Sequence, residues 1–144
     1  MLRTNLPPRP LWCGLEYGPA LVVLDAADAR PHALPPAWAP LTDSFQIAWC
    51  ATPGPDAGRE AVEDVLETLA DRRLRTHVVA DAGLAGFAVE ALAEFGHIAR
   101  TLVVVGPGET PPAPGLRVLR VPGSGLSSPA VVASVLAELG WART

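Results

Sequence analysis

One short segment constrains the fold of this chain more than any other. Residues 78–83 read Val-Val-Ala-Asp-Ala-Gly, and an apolar run from Leu84 to Phe95 follows them directly. Continuous apolar strands are typical of parallel sheets that are covered on both faces, because neither side of such a strand meets water. A turn of small residues that leads from such a strand into a helix is typical of a βαβ unit. The segment therefore predicts an α/β domain.

Other apolar runs of strand length alternate with helical patterns. Strands are predicted at residues 11–17, 20–25, 45–50, 76–80, 101–105 and 116–121. Besides the helix at residues 84–95, the patterns predict helices over residues 59–73 and 129–139 and a helical turn at 38–43. This alternation predicts a mostly parallel sheet with helices on both faces. We expect a single domain over residues 11–144, preceded by an irregular, proline-rich arm over residues 1–10.

The placement of the last strand stays open. The link from Val105 to Leu116 is short, because a parallel crossover normally needs about a dozen residues or more. Either the last strand is antiparallel, or it is parallel and its boundaries differ from those predicted.

Composition excludes several classes of protein. The chain is 49% hydrophobic and 18% charged, which is too apolar for disorder, and its apolar runs are too short to span a bilayer. The net charge of −4 and the lack of a basic stripe argue against binding to nucleic acid. The chain has no lysine, which excludes Schiff-base and P-loop chemistry. Residues 1–10 lack a secretory signal, and Cys13 and Cys50 form no CxxC motif, so we expect a cytoplasmic protein with free thiols.

Candidate site residues follow the strands, because ligands of such sheets bind beyond the carboxyl ends of the strands. They are Asp25, Ala26, Asp28, Cys50, Thr52, Asp81, Ala82, Glu109, Ser124 and Ser127. Carboxylates in this set suit Mg²⁺ or Ca²⁺, but no dense ligand motif supports a metal site. We expect neither a metal nor a cofactor.

The order of these motifs resembles the α/β-hydrolase superfamily. Residues 16–24 resemble its early hairpin and the strand before its oxyanion loop, and residues 38–54 resemble its next helix, strand and Pro-Gly turn. Residues 78–83 resemble the nucleophile elbow, in which a strained strand-to-helix turn presents the reactive side chain. Residues 121–125 resemble the approach to the loop that carries the catalytic His. The resemblance implies a reduced hydrolase fold, since residues 107–115 replace the usual cap segment.

The departures from this family concern its catalytic residues. Asp81 stands at the nucleophile position, as in the branch of haloalkane dehalogenases and epoxide hydrolases, and Gly83 then takes the small position two residues on. Asp25-Ala26 replaces the His-Gly pair of the oxyanion loop, where a carboxylate would oppose the developing negative charge. Leu126 stands where the late His is expected.

Asp81 therefore has two interpretations. As a nucleophile or general base it would need a histidine, and His32 is the candidate partner. As a structural residue it would cap the following helix, whose positive end favours a carboxylate. We expect the ligand pocket, if there is one at this edge, to involve Asp25, Ala26, Cys50, Ala82, Glu109 and Ser124.

The chain lacks the elbow Ser, the His-Gly pair of the oxyanion loop and the late His. Absence of all three favours a non-catalytic binding or accessory subunit, for example of a biosynthetic or tailoring enzyme that handles a small molecule or peptide. The alternative is a hydrolase or proton-transfer enzyme that uses Asp81. A third hypothesis is an α/β domain of another lineage, which predicts that residues 21–24 do not lie between residues 47–49 and 78–80. The last helix is apolar around much of its girth, so we also expect a homo-oligomer or a partner protein, and neither nucleic acid nor membrane as a partner.

Overall fold

A computed structural model describes residues 10–26, 33–52, 59–107, 115–123 and 125–139. Within these residues the strands are β1 (Leu11–Gly14), β2 (Ala20–Asp25), β3 (Gln46–Ala51), β4 (Thr76–Asp81), β5 (Ala99–Val105) and β6 (Arg117–Val121). The α-helices are α1 (Arg59–Asp71), α2 (Ala85–Leu92) and α3 (Pro129–Glu138). Two 3₁₀ segments, Pro36–Asp43 and Ala82–Leu84, precede β3 and α2. The predicted arm over residues 1–10 lies outside the described residues, apart from Pro10.

The strands form one sheet in the order β1-β3-β2-β4-β5-β6. All neighbours are parallel except the edge strand β1, which runs antiparallel to β3. The predicted α/β class with a mostly parallel sheet is therefore confirmed. Because β2 lies between β3 and β4, the strand order predicted by the third hypothesis is wrong.

The last strand is parallel, so the antiparallel alternative is wrong. Residues 117–121 of β6 pair in register with residues 101–105 of β5. The link from Val105 to Arg117 is close to the shortest parallel crossover, about a dozen residues.

The core consists of two apolar layers, one on each face of the sheet. Side chains of a strand point alternately to opposite faces. Val22 and Leu24 therefore pack with α1 and α2, whereas Leu21 and Val23 pack with α3 and the 3₁₀ segment Pro36–Asp43. Helices lie on both faces, as predicted.

Trp38 anchors the 3₁₀ segment Pro36–Asp43 in the apolar layer that faces α3. Its ring is fully buried and packs edge-on against Trp49 with centroids 5.6 Å apart. Its indole Nε1 donates a hydrogen bond to the carbonyl oxygen of Leu126 over 2.6 Å. A buried indole needs such a partner, so the segment and the loop before α3 are tied together.

Some element boundaries differ from the prediction. Helix α2 ends at Leu92 rather than Phe95, because the chain then turns through bonds that reach back three residues, from Ala93 N–H to Glu90 O and from Phe95 N–H to Leu92 O. Ser128 takes the N-cap position of α3 before Pro129, but its side chain makes no capping hydrogen bond. No helix of the described part of the chain has the length and apolar character needed to cross a membrane.

Candidate functional site

The carboxyl edge of the sheet brings Asp25 and Asp81 side by side. Leu24 pairs with Ala80, so the residues that follow them are neighbours on adjacent strands, which lie about 4.8 Å apart. Both aspartates continue the row of side chains that faces α3. The structure thus brings together two of the candidate site residues, Asp25 and Asp81.

The environment of Asp25 disfavours its charge. Burial raises the pKa of the Asp25 carboxyl, and the negative charge of Asp81 raises it further. A hydrogen bond of 3.2 Å from the indole Nε1 of Trp49 to Asp25 Oδ2 acts in the opposite direction on that pKa. An ionised carboxylate beside a developing oxyanion would oppose its negative charge, whereas a protonated one could donate a hydrogen bond to it.

Asp81 occupies an unstrained helix-capping position. Its φ of −59° and ψ of 143° are ordinary extended values, and its Oδ1 accepts a hydrogen bond of 3.0 Å from the backbone N–H of Gly83. A nucleophile elbow instead relies on a sharp, strained turn. The predicted succession of strand, turn and helix is therefore present, but without the backbone strain of an elbow.

Gly83 is not required by close packing. A Cβ atom built on it would lie 3.6 Å from Asp81 Oδ1, which is ordinary van der Waals contact. The neighbouring Ala82 is half-buried and contacts the turn after β5, since a Cβ on Gly106 would lie 3.3 Å from the Cβ of Ala82. Ala82 therefore packs between the ends of β4 and β5.

Cys50 lies on the other face of the sheet. It belongs to the layer that packs on α1 and α2, whereas Asp25 and Asp81 face α3. Burial raises the pKa of the Cys50 thiol to about 12, which keeps it protonated and unreactive. The structure does not bring this thiol together with the two aspartates.

The remaining predicted site residues divide into two groups. Ala26 is exposed just after β2, and Ser127 is exposed just before α3. Thr52 is buried, where its hydroxyl donates to the carbonyl of Cys50 over 3.3 Å. Asp28, His32, Glu109 and Ser124 lie outside the described residues. No group of three or more His, Cys, Asp or Glu residues within the described ranges could hold a metal ion.

Leu126, at the position where the resemblance would put a histidine, belongs to the core. It is 4% exposed and packs in the layer of Trp38 and Val131. Nearby, Gly123 has a φ of +122°, and a Cβ there would lie 2.9 Å from Val131 Cγ2. The chain after β6 is thus closely packed onto α3.

The sequence did not predict a basic cavity at the opposite, amino edge of the sheet. Its volume is about 570 Å³, and its lining includes His77, His97 and four arginines, Arg73, Arg75, Arg100 and Arg117. The sequence does place arginines just before or at the start of β4, β5 and β6. That these strand starts lie side by side follows only from the strand order.

No known family model matches the sequence, and no curated protein matches it. Among solved structures, the chain is similar to the N-formylmaleamic acid deformylase of Pseudomonas putida, with a TM-score of 0.41 and 20% sequence identity. The similarity covers 71% of this chain and 45% of that one. This chain therefore spans less than half the length of the deformylase.

Proposed function

We propose that this α/β domain is a non-catalytic binding domain that acts as an accessory subunit. The observation that carries the proposal is the capping role of Asp81. A covalent nucleophile needs a carboxylate directed at the substrate and a base that activates water. Asp81 instead has one carboxylate oxygen engaged by the following turn, on a backbone without strain.

The histidines of the described residues are too far away to serve Asp81. His77 is the second residue of the same strand, four residues before Asp81, so the two side chains are separated by about 13 Å along β4. General-base catalysis needs hydrogen-bond reach of about 2.6–3.2 Å, or one bridging water. His97 lies still further toward the amino edge, among the residues that line the basic cavity.

Two further features support a non-catalytic role. Under the resemblance, Asp25-Ala26 stands where the oxyanion loop begins, and an ionised carboxylate there would oppose an oxyanion. Leu126 fills the position of the family's late His with a buried side chain. Restoring hydrolysis would thus require changes in the core as well as at the strand ends.

The edge strand β1 supports the accessory role. The large apolar side chains exposed in the described part of the chain are Trp12, Leu15 and Tyr17, all on or just after β1. An edge strand with exposed aromatic neighbours favours pairing with another chain. The outer face of α3, by contrast, exposes small residues, Ala130, Ala133 and Ala137.

A second candidate function is proton transfer by the two aspartates. Two neighbouring carboxylates, one with a raised pKa, are a recognised arrangement for acid–base catalysis. In this candidate Asp25 would carry the proton, because its pKa is raised.

Turnover assays with matched variants test the proposal. Wild type, Asp81→Asn and Asp25→Asn are incubated with 4-nitrophenyl acetate, styrene oxide and 1,2-dibromoethane, and with acetone in deuterated water to follow α-proton exchange by NMR. We expect all three proteins to give the buffer rate on every substrate. A wild-type rate above buffer that is lost in Asp81→Asn or Asp25→Asn would overturn the non-catalytic role.

A further inference from the structure

The cavity at the amino edge of the sheet concentrates positive charge. Four of the eleven basic residues of a chain with net charge −4 line its volume of about 570 Å³. His77 and His97 add two imidazoles, and Ile98 and Leu139 contribute an apolar wall. Cavities of about 300–1,000 Å³ are typical of small-molecule sites.

The sheet order creates this concentration. His77, Thr101 and Arg117 are opposite one another on β4, β5 and β6 and form one cross-strand row. Arg100 precedes Thr101 on β5, and Arg75 precedes the start of β4. Parallel strands place their amino ends at the same edge, so residues distant in the sequence meet there.

These arginines form no ion pair with another residue of the described part of the chain. The ion pairs formed there involve Arg59 and Arg72, neither of which lines the cavity. Arg100 donates from Nε to the carbonyl oxygen of Gly96 over 3.2 Å, which leaves its other guanidinium N–H groups available. Positive charges held together without a counter-charge repel one another, and a bound anion would relieve that repulsion.

Two local features at the cavity carry an energetic cost, and a ligand would supply the partner that the first one lacks. The His77 Nδ1 atom is buried and has no hydrogen-bond partner in the described structure, although such groups normally have one. Arg73 has a φ of +56° at the end of α1, where Leu74 N–H bonds to Leu69 O and Arg73 N–H bonds to Ala70 O. That helix-ending motif normally has glycine at the left-handed position, so an arginine there is strained.

We propose that this cavity binds a small molecule that carries at least two phosphate groups. The planar guanidinium fork matches two oxygens of one phosphate, which gives bidentate, charge-assisted hydrogen bonds. Arginines from three successive strand starts suit more than one phosphate, and the His77 imidazole supplies a further hydrogen bond. The site is at the opposite edge from Asp81, so this proposal and the non-catalytic role can fail independently.

Calorimetric titration with inorganic triphosphate and pyrophosphate tests the proposal at constant ionic strength. We expect saturable binding to the wild type. Loss of a charge-assisted contact in Arg117→Gln or Arg75→Gln should weaken triphosphate binding about tenfold or more. The matched control is Arg59→Gln, which removes an arginine of α1 that pairs with Glu90 outside the cavity and should leave binding unchanged.

Circular dichroism and the melting temperature without ligand verify that each variant is folded. Should a variant unfold, triphosphate-dependent broadening of the His77 and His97 ring signals in wild-type NMR spectra replaces it, and unchanged signals contradict the proposal. Absence of binding, or equal weakening by Arg59→Gln, also overturns it. So does citrate binding as tightly as triphosphate, which would indicate a general anion site. Tighter binding of a single-stranded oligonucleotide than of triphosphate would indicate a nucleic-acid surface instead.

Discussion

Substitution of Asp81 separates its capping role from its charge. Asp81→Ala removes the acceptor of the 3.0 Å hydrogen bond from Gly83 N–H, and loss of an N-cap costs about 1 kcal/mol. The same change also removes a negative charge beside Asp25, which raises the free energy of unfolding by about 0.5 kcal/mol. The net loss in the free energy of unfolding is then about 0.5 kcal/mol, or a fall in Tm of about 1–2 °C for a domain of this size.

Asp81→Asn is the matched control for this prediction. The asparagine keeps a side-chain oxygen that can accept from Gly83 N–H, but it removes the charge that opposes Asp25. We therefore expect Asp81→Asn to be at least as stable as the wild type, by up to about 0.5 kcal/mol. Urea unfolding at pH 7, followed by circular dichroism, measures all three proteins. If Asp81→Asn loses as much stability as Asp81→Ala, the capping argument is refuted.

Three further predictions concern other residues. Because the folded-state pKa of Asp25 is raised above its usual value of 3.8, the folded protein binds this proton more tightly than the unfolded chain, so ionised Asp25 costs stability at neutral pH. Asp25→Asn should therefore raise the free energy of unfolding at pH 7 by about 0.5–1 kcal/mol, and this gain should shrink as the pH falls toward 3.8. Thermal unfolding at several pH values checks the trend. A variant less stable than the wild type at pH 7 would contradict it. Cys50, with a pKa of about 12, should not react with a thiol reagent in the folded protein, whereas the partly exposed Cys13 should. A spectrophotometric thiol titration in buffer and in denaturant distinguishes the two thiols. Equal reaction rates of both thiols in buffer would contradict a buried Cys50. Gly123→Ala should lower the free energy of unfolding by about 1–3 kcal/mol, because the φ of Gly123 is +122° and the new Cβ would lie 2.9 Å from Val131 Cγ2. Gly86→Ala on α2, where no atom lies within 4 Å of the new Cβ, should raise it by about 0.5–1 kcal/mol. Equal unfolding midpoints for the two variants would contradict this contrast.

The strands could be predicted from the sequence because each parallel strand is a separate apolar run. Residues 20–25, 45–50 and 76–80 are three such runs. Helix ends were predicted less well. Phe95 continues the apolar pattern of α2, but after Leu92 the backbone bonds reach back three residues rather than four, as from Phe95 N–H to Leu92 O.

The site was harder to predict, for two physical reasons. A strand, a turn of small residues and a helix are compatible with both a strained elbow and a capped turn, and the backbone angles of Asp81 distinguish them. The basic cavity depends on Arg75, Arg100 and Arg117, which are separated by a helix or a long connection in the sequence. Net charge and local charge patterns do not reveal a site that only the sheet order brings together.

The native mass of the protein purified from its host tests the proposed accessory role most directly. Light scattering on the wild type and Asp81→Asn should give the same mass for both, well above the 15.0 kDa of one chain, with a second polypeptide in the particle. A 15.0 kDa monomer whose wild type turns over a substrate that Asp81→Asn does not would contradict the account.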